Sequence, residues 1–222
     1  RPEAEPIKTR KVSGSAFVDF PVNKTDIRPS YRNNVAELAK ITGSIDEVKA
    51  DSDVTITSIA IKGYASPESP YKNNERLAKG RTEALKKYVE NLYNFDEGFI
   101  VTSYEPEDWA GLERYVEASN LKHKSAILNL IRSDEEPDRK EWLIKSTYKE
   151  DYRYLLENCY PALRHSDYVI EYEVRHYVNP QEIEQVMNTA PQKLSLDEFY
   201  NLAQTYEPGS EEFSDVFETA VR

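Results

Sequence analysis

The stretch SDVTITSIAIKGY is rich in β-branched residues and bounded by turn formers, which predicts a strand over Val54–Gly63. Its alternation slips between Ile56 and Ile59, implying a bulge or burial of both faces. Ahead of it, SGSAFVDFPV predicts a short strand around Ala16 to Phe20, closed by Pro21. Val35, Leu38, Ala39 and Ile41 then share one face of a helix begun near Ser30 to Asn34. Behind it come a helix over about Lys72 to Leu92 and a strand in FIVTSY, so the order is β-α-β-α-β. From Glu105 to about Leu163 the spacing is helical throughout. Trp109, Leu112, Tyr115 and Val116, then KSAILNLI, EWLIKS and DYRYLLENCYPALR, predict three or four helices inserted between strands. In YVIEYEVRHYV the period returns to two. Tyr168, Ile170, Tyr172, Val174, His176 and Val178 mark the covered face of a strand for which an antiparallel neighbour is expected.

The ends differ in style. Residues 1–12 carry prolines and charges and read as a linker from an upstream region. After Asn179-Pro180 the chain turns helical. Ser195 and Glu198 form a capping box ahead of Phe199, Leu202, Ala203 and Tyr206, and a Pro208-Gly209-Ser210 turn leads to Phe213, Val216, Phe217 and Ala220. Such a helical hairpin needs another surface to cover its apolar faces. No stop signal precedes Arg222, so the natural chain is expected to continue. The expected organisation is a linker (1–12), an α+β domain (13–179, helical insertion at about 105–163) and a helical tail (180–222).

Composition narrows the function. With 222 residues, 39% of them apolar, one or two real cores are possible. A net charge of -11 without a basic stripe argues against nucleic acid, because phosphate binding needs a basic face. No apolar run is long enough for a transmembrane segment. The lone Cys159 excludes an internal disulfide and reads as a core thiol. His123, His165 and His176 are scattered without ligand spacing, so no metal site is expected. No phosphate-cradling glycine loop is present, so no cofactor is expected. The runs SDEEPD and GSEEFSD lack the spacing of a calcium loop and read as solvated acids. Sixteen tyrosines read first as helix packing and second as a sugar- or partner-binding face. Glu105, Glu107 and Asp108 cluster after a strand but pair with no nucleophile, so no enzyme is expected.

One position breaks the apolar pattern. At ~100° per residue, Leu77, Ala84, Leu85, Tyr88 and Leu92 fall in one sector of about 100°, and Arg81 lies near its centre. A guanidinium there needs an acceptor from the protein, from a ligand, or through an opening to solvent. An internal salt bridge, for example to Glu68, is one answer.

The surrounding residues suggest another. GYAS at Gly63–Ser66, Asn74 eight residues on, and then Leu77, Ala78, Arg81, Thr82, Leu85, Tyr88 and Val89 resemble the GxTD and NxxLSxxRAxxVxxYL pattern of the OmpA-like peptidoglycan-binding domain family. FVDFPVNKTDIRPSYRNNVAEL is similar to that family's first strand and helix. The resemblance covers about residues 15–104, with the strand at 168–178 as a plausible last strand. It implies an α+β fold, a β-α-β-α-β-(helical insertion)-β sandwich with a mixed sheet, followed here by the helical hairpin. It also implies a non-catalytic module of the cell envelope, periplasmic or associated with the outer membrane of a Gram-negative cell, with peptidoglycan as partner. In the family an Asp and an Arg grip the diaminopimelate of the peptide stem. Arg81 matches the Arg, whereas Ser66 stands at the Asp position, leaving Glu68 as a carboxylate from a shifted place. The implied ligand-binding set is Arg81, Ser66, Asn74, Glu68 and Tyr64. The arginines of the family's last strand are missing from SDYVIEY, and the insertion is extra. The tail resembles the start of a tetratricopeptide repeat. The alternative reading is therefore an envelope or surface-fibre assembly scaffold that holds an envelope or surface protein partner through insertion and tail.

Overall fold

The computed structural model describes all 222 residues. They form an α+β fold of ten helices and a mixed four-stranded sheet. The strands are β1 (Lys8–Ala16), β2 (Val54–Tyr64), β3 (Ile100–Glu105) and β4 (Ser166–Val174), in the spatial order β1-β4-β2-β3. Strands β2 and β3 run parallel, from Ile59 opposite Ile100 to Tyr64 opposite Glu105. The Tyr64 amide donates to the His165 carbonyl and the Arg175 amide to the Asp53 carbonyl, so the end of one strand faces the start of the other and β4 is antiparallel to β2.

The chain divides into two compact units, one of residues 13–45 and 58–170, the other of residues 1–12, 46–57 and 171–222. In the first, α1 (Asn34–Ala50) buries Leu38, Ile41 and Ile45, whereas Val35, expected on that face, is 69% exposed. Helix α2 (Tyr71–Tyr93) buries Asn74, Leu77, Ala78, Thr82, Leu85 and Val89 and ends on Asn94, whose φ of 53° makes the left-handed turn that closes many helices. Ile59, Ile61 and Ile100 supply the sheet side of the core. Gly63 is required by proximity: a Cβ there would lie 1.9 Å from Thr82 Oγ1.

The inserted segment holds five helices, α3 (Trp109–Ala118), α4 (Lys124–Arg132), α5 (Pro137–Thr147), α6 (Lys149–Asn158) and the single turn α7 (Tyr160–Leu163). They enclose a core of their own around Leu112, Val116, Ile127, Ile144, Leu155 and Tyr160, with Cys159 buried in it.

In the second unit, α8 (Pro180–Thr189), α9 (Leu196–Ala203) and α10 (Glu211–Ala220) pack Ile183, Phe199, Leu202 and Val216 against Val174 and Tyr177. The expected capping box is present, with Ser195 and Glu198 satisfying each other's amides. Glu198 does more than cap. Both its oxygens lie 2.9 Å from Nζ of Lys8, a lysine with no solvent exposure, and it accepts from the Tyr177 amide.

Three further expectations shift. The first strand lies at Lys8–Ala16 rather than Ala16–Phe20, so the segment expected as a linker holds the first half of β1. The last strand ends at Val174, leaving His176 beyond it with Nε2 3.0 Å from the Pro6 carbonyl, and Val178, expected on its covered face, beyond it and exposed. The insertion carries five helices, where three or four were expected.

Candidate functional site

The site grows out of the first turns of α2. On an ideal helix Arg81 falls between Leu77 and Asn74, about 40° from one and 20° from the other, inside the buried sector. What covers it is the loop after β1. Gly80 lets this loop approach, since a Cβ there would meet Thr25 at 2.7 Å. The loop brings the Lys24 carbonyl 3.1 Å from Arg81 Nε and the Phe20 ring 4.9 Å beneath the guanidinium. Those two contacts hold the plane of the group and leave its terminal nitrogens without a carboxylate partner. Burial pushes the Arg81 pKa down to about 10, helped by the nearby Arg164 and Arg76 and opposed by Glu68 and Asp19. The group remains a cation at neutral pH.

Arg81 lines a cavity of about 140 Å³ together with Phe20, Ser66, Glu68, Asn74 and Arg164. Asn74, almost fully buried, donates from Nδ2 to the Ser69 carbonyl and to Glu107 Oε1, both at 2.7 Å, and so ties the 65–70 loop to the turn after β3. Glu107 also accepts from Trp109 Nε1 at 2.7 Å. Burial raises its pKa above the ordinary carboxylate value in spite of those donors. Ser66 is 3% exposed, and Glu68 stands at the rim. The carboxylate of Glu68 lies 3.8 Å from Arg164, so the ion pair that the sequence offers to Arg81 goes to a different arginine.

Four of the five sequence-derived residues, Ser66, Glu68, Asn74 and Arg81, therefore share one cavity. Tyr64 sits apart from it, lining a smaller neighbouring cleft with Arg81 and Arg164 and stacking on His165 at 4.2 Å. Arg164 and Phe20 were not singled out from sequence. Phe20 stood in the quoted first motif, but nothing in the spacing marks Arg164, which follows the insertion.

Beside this cavity lies a second polar cluster. His165 Nδ1 is 2.8 Å from Asp167 and Nε2 is 3.0 Å from Asp108, and Ser15 Oγ donates to Asp167 at 2.6 Å. Asp108 caps α3 by accepting from the Gly111 amide. Burial alone would lower the His165 pKa, but the two carboxylates outweigh it and raise it above the ordinary imidazole value. Asp108 is correspondingly depressed: burial acts upward, and the His165 and Gly111 hydrogen bonds win.

No group of His, Cys, Asp and Glu is disposed to hold a metal ion. The cavity's chemistry is that of an anion receptor. It offers guanidinium donors, small polar groups and an aromatic floor. No protein-family model matches the chain, and comparison with the curated proteins gives no match either.

Proposed function

We propose that the chain is a non-catalytic cell-envelope module of OmpA-like type that binds the peptide stem of peptidoglycan through Arg81. The strand and helix order supports the fold half of this reading: β-α-β-α-β, an inserted helical segment, and a last strand that returns antiparallel beside β2. The observation that carries the functional half is Arg81 itself. It is a guanidinium in the buried sector of a helix, held by a carbonyl and a ring, with no carboxylate of its own and with a cavity in front of it. A ligand carboxylate entering that cavity gains a paired, charge-assisted contact at a cation already stripped of part of its water.

The test is co-sedimentation with isolated peptidoglycan. The wild-type chain is expected to pellet and Arg81→Ala to stay in the supernatant, a loss of ~10-fold or more in affinity, since hydrogen bonds to charged groups contribute about 1.5–3 kcal/mol. Equal pelleting of both, or none above an unrelated acidic protein, overturns the reading.

The scaffold reading has one observation in its favour. Trp142, 54% exposed, borders an open groove of about 660 Å³ that also carries Lys145, Lys149 and Arg153. Exposed tryptophan and arginine are common anchors of protein partners. Cross-linking in envelope extract should lose a defined adduct in Trp142→Ala while pelleting is unchanged; an identical adduct pattern counts against it. Deleting residues 180–222 would be a poor test, because it removes the Glu198 partner of buried Lys8.

A further inference from the structure

The charge in the Arg81 cavity is the reverse of the chain's. A protein with 40 acidic and 29 basic residues lines this one cavity with Arg32, Arg81 and Arg164 against Glu68 alone. Arg32 is turned toward Asp19 at 3.7 Å, which leaves Arg81, Arg164 and Glu68 as the charges a ligand meets. The Glu68–Arg164 contact, at 3.8 Å, is longer than a hydrogen-bonded ion pair, and both side chains are partly exposed. Such a pair is weak and exchangeable. Ser66, on the cavity wall, is uncharged and almost wholly buried, so Glu68 is the only carboxylate among the lining residues.

We infer that Arg164 is a second anion-binding residue of this cavity, held in reserve by Glu68, and that the site selects a carboxylate unaccompanied by an ammonium: the free C-terminal end of an N-blocked peptide. Two guanidinium groups then share one carboxylate, Arg81 from α2 and Arg164 from the segment preceding β4. A zwitterionic amino-acid end instead places its ammonium beside two arginines, with only Glu68 to receive it. Size agrees with a chain terminus. A cavity of about 140 Å³ holds roughly five waters at ~30 Å³ each, enough for a carboxylate and one small side chain.

The inference rests on the anion-receptor reading proposed above, and the experiment separates the two. The full chain is titrated by calorimetry with N-acetyl-alanyl-alanine, with its C-terminal amide, and with free diaminopimelate. The acetylated acid should bind, the amide should bind at least 10-fold more weakly, and diaminopimelate should be weaker than the acid. Arg164→Gln should weaken the acid about 10-fold, and Arg164→Lys, which keeps the charge, should recover part of that. Glu68→Gln frees Arg164 and should tighten the acid several-fold, a gain that misfolding cannot produce. An unchanged affinity in Arg164→Gln, an amide that binds as well as the acid, or weaker binding in Glu68→Gln overturns the inference. If peptidoglycan pelleting needs Arg81 while Arg164→Gln is silent, the function stands and the inference falls. If the acid binds through Arg164 and peptidoglycan does not pellet, the inference stands and the function falls. No binding of any probe overturns the inference, and if peptidoglycan does not pellet either, both fall.

Discussion

Gly63 shows how much a single residue of a quoted motif can mean physically. Its backbone needs no unusual angle; the constraint is Thr82, whose hydroxyl donates to the Ala78 carbonyl at 2.6 Å and fills the space a side chain would take. Gly63→Ala is expected to destabilise by about 2 kcal/mol, the cost of overpacking. Adding Thr82→Ala should recover part of that, which urea denaturation of the single and double variants will show. Tyr160 makes the opposite case. It is fully buried in the insertion core, and its hydroxyl has no hydrogen-bond partner. Tyr160→Phe removes an unsatisfied donor without opening a cavity, so we expect equal or greater stability, by up to about 1 kcal/mol. His165 adds a pH dependence. Its folded pKa lies above the ordinary value, so its contribution is complete below about pH 6.5 and fades as pH rises through the folded value. Asp108 works the other way, contributing above about pH 4 and failing as pH falls through its depressed value. The stability difference between wild type and His165→Gln should therefore be largest near pH ~5.5, about 1–2 kcal/mol, and shrink toward pH ~9. A difference that stays flat over that range rules the network out.

Among the elements, those with apolar periodicity were legible and those built on charge were not. Strand β2 and helix α2 stand within a residue or so of where the sequence puts them, because isoleucines at Ile59 and Ile61 and the Leu77–Leu85 spacing report burial directly. Strand β1 was misplaced because KTRKVSGSA has almost no apolar residue; it is an edge strand, and edges are commonly made of charged residues. Of its two buried ends, one is a lysine, which no hydrophobic pattern can flag. That lysine is tied to α9 through Glu198, which also serves the amides of Ser195 and Tyr177. Lys8→Met is expected to cost about 3–5 kcal/mol by leaving a buried carboxylate uncompensated, against about 1 kcal/mol for the cap alone in Ser195→Ala. Pairing Lys8→Met with Glu198→Gln should cost less than the sum of the two. Additive losses in denaturant would show that the two groups do not act as a pair.

Across the whole molecule, the site was half visible for the same reason. Ser66, Glu68, Asn74 and Arg81 lie within one loop and the helix after it, so their spacing could be read along the chain. Arg164 reaches the same cavity only because the inserted helices return the chain to the sheet there, and no local spacing encodes that. The insertion does so with a core of its own, residues 112–163, that shares no residue with the cluster around Ile183, Phe199, Leu202 and Val216. Separate cores predict separate responses. Leu155→Ala, in the first, should cost about 2–5 kcal/mol and speed amide exchange through α3–α7 while α9 and α10 keep their protection. Leu202→Ala should do the reverse. Because the insertion delivers Arg164, Leu155→Ala should also weaken carboxylate binding, whereas Leu202→Ala should leave it unchanged. Exchange that rises uniformly in both variants would show one cooperative body and remove the basis for treating the insertion as an independent arm of the site.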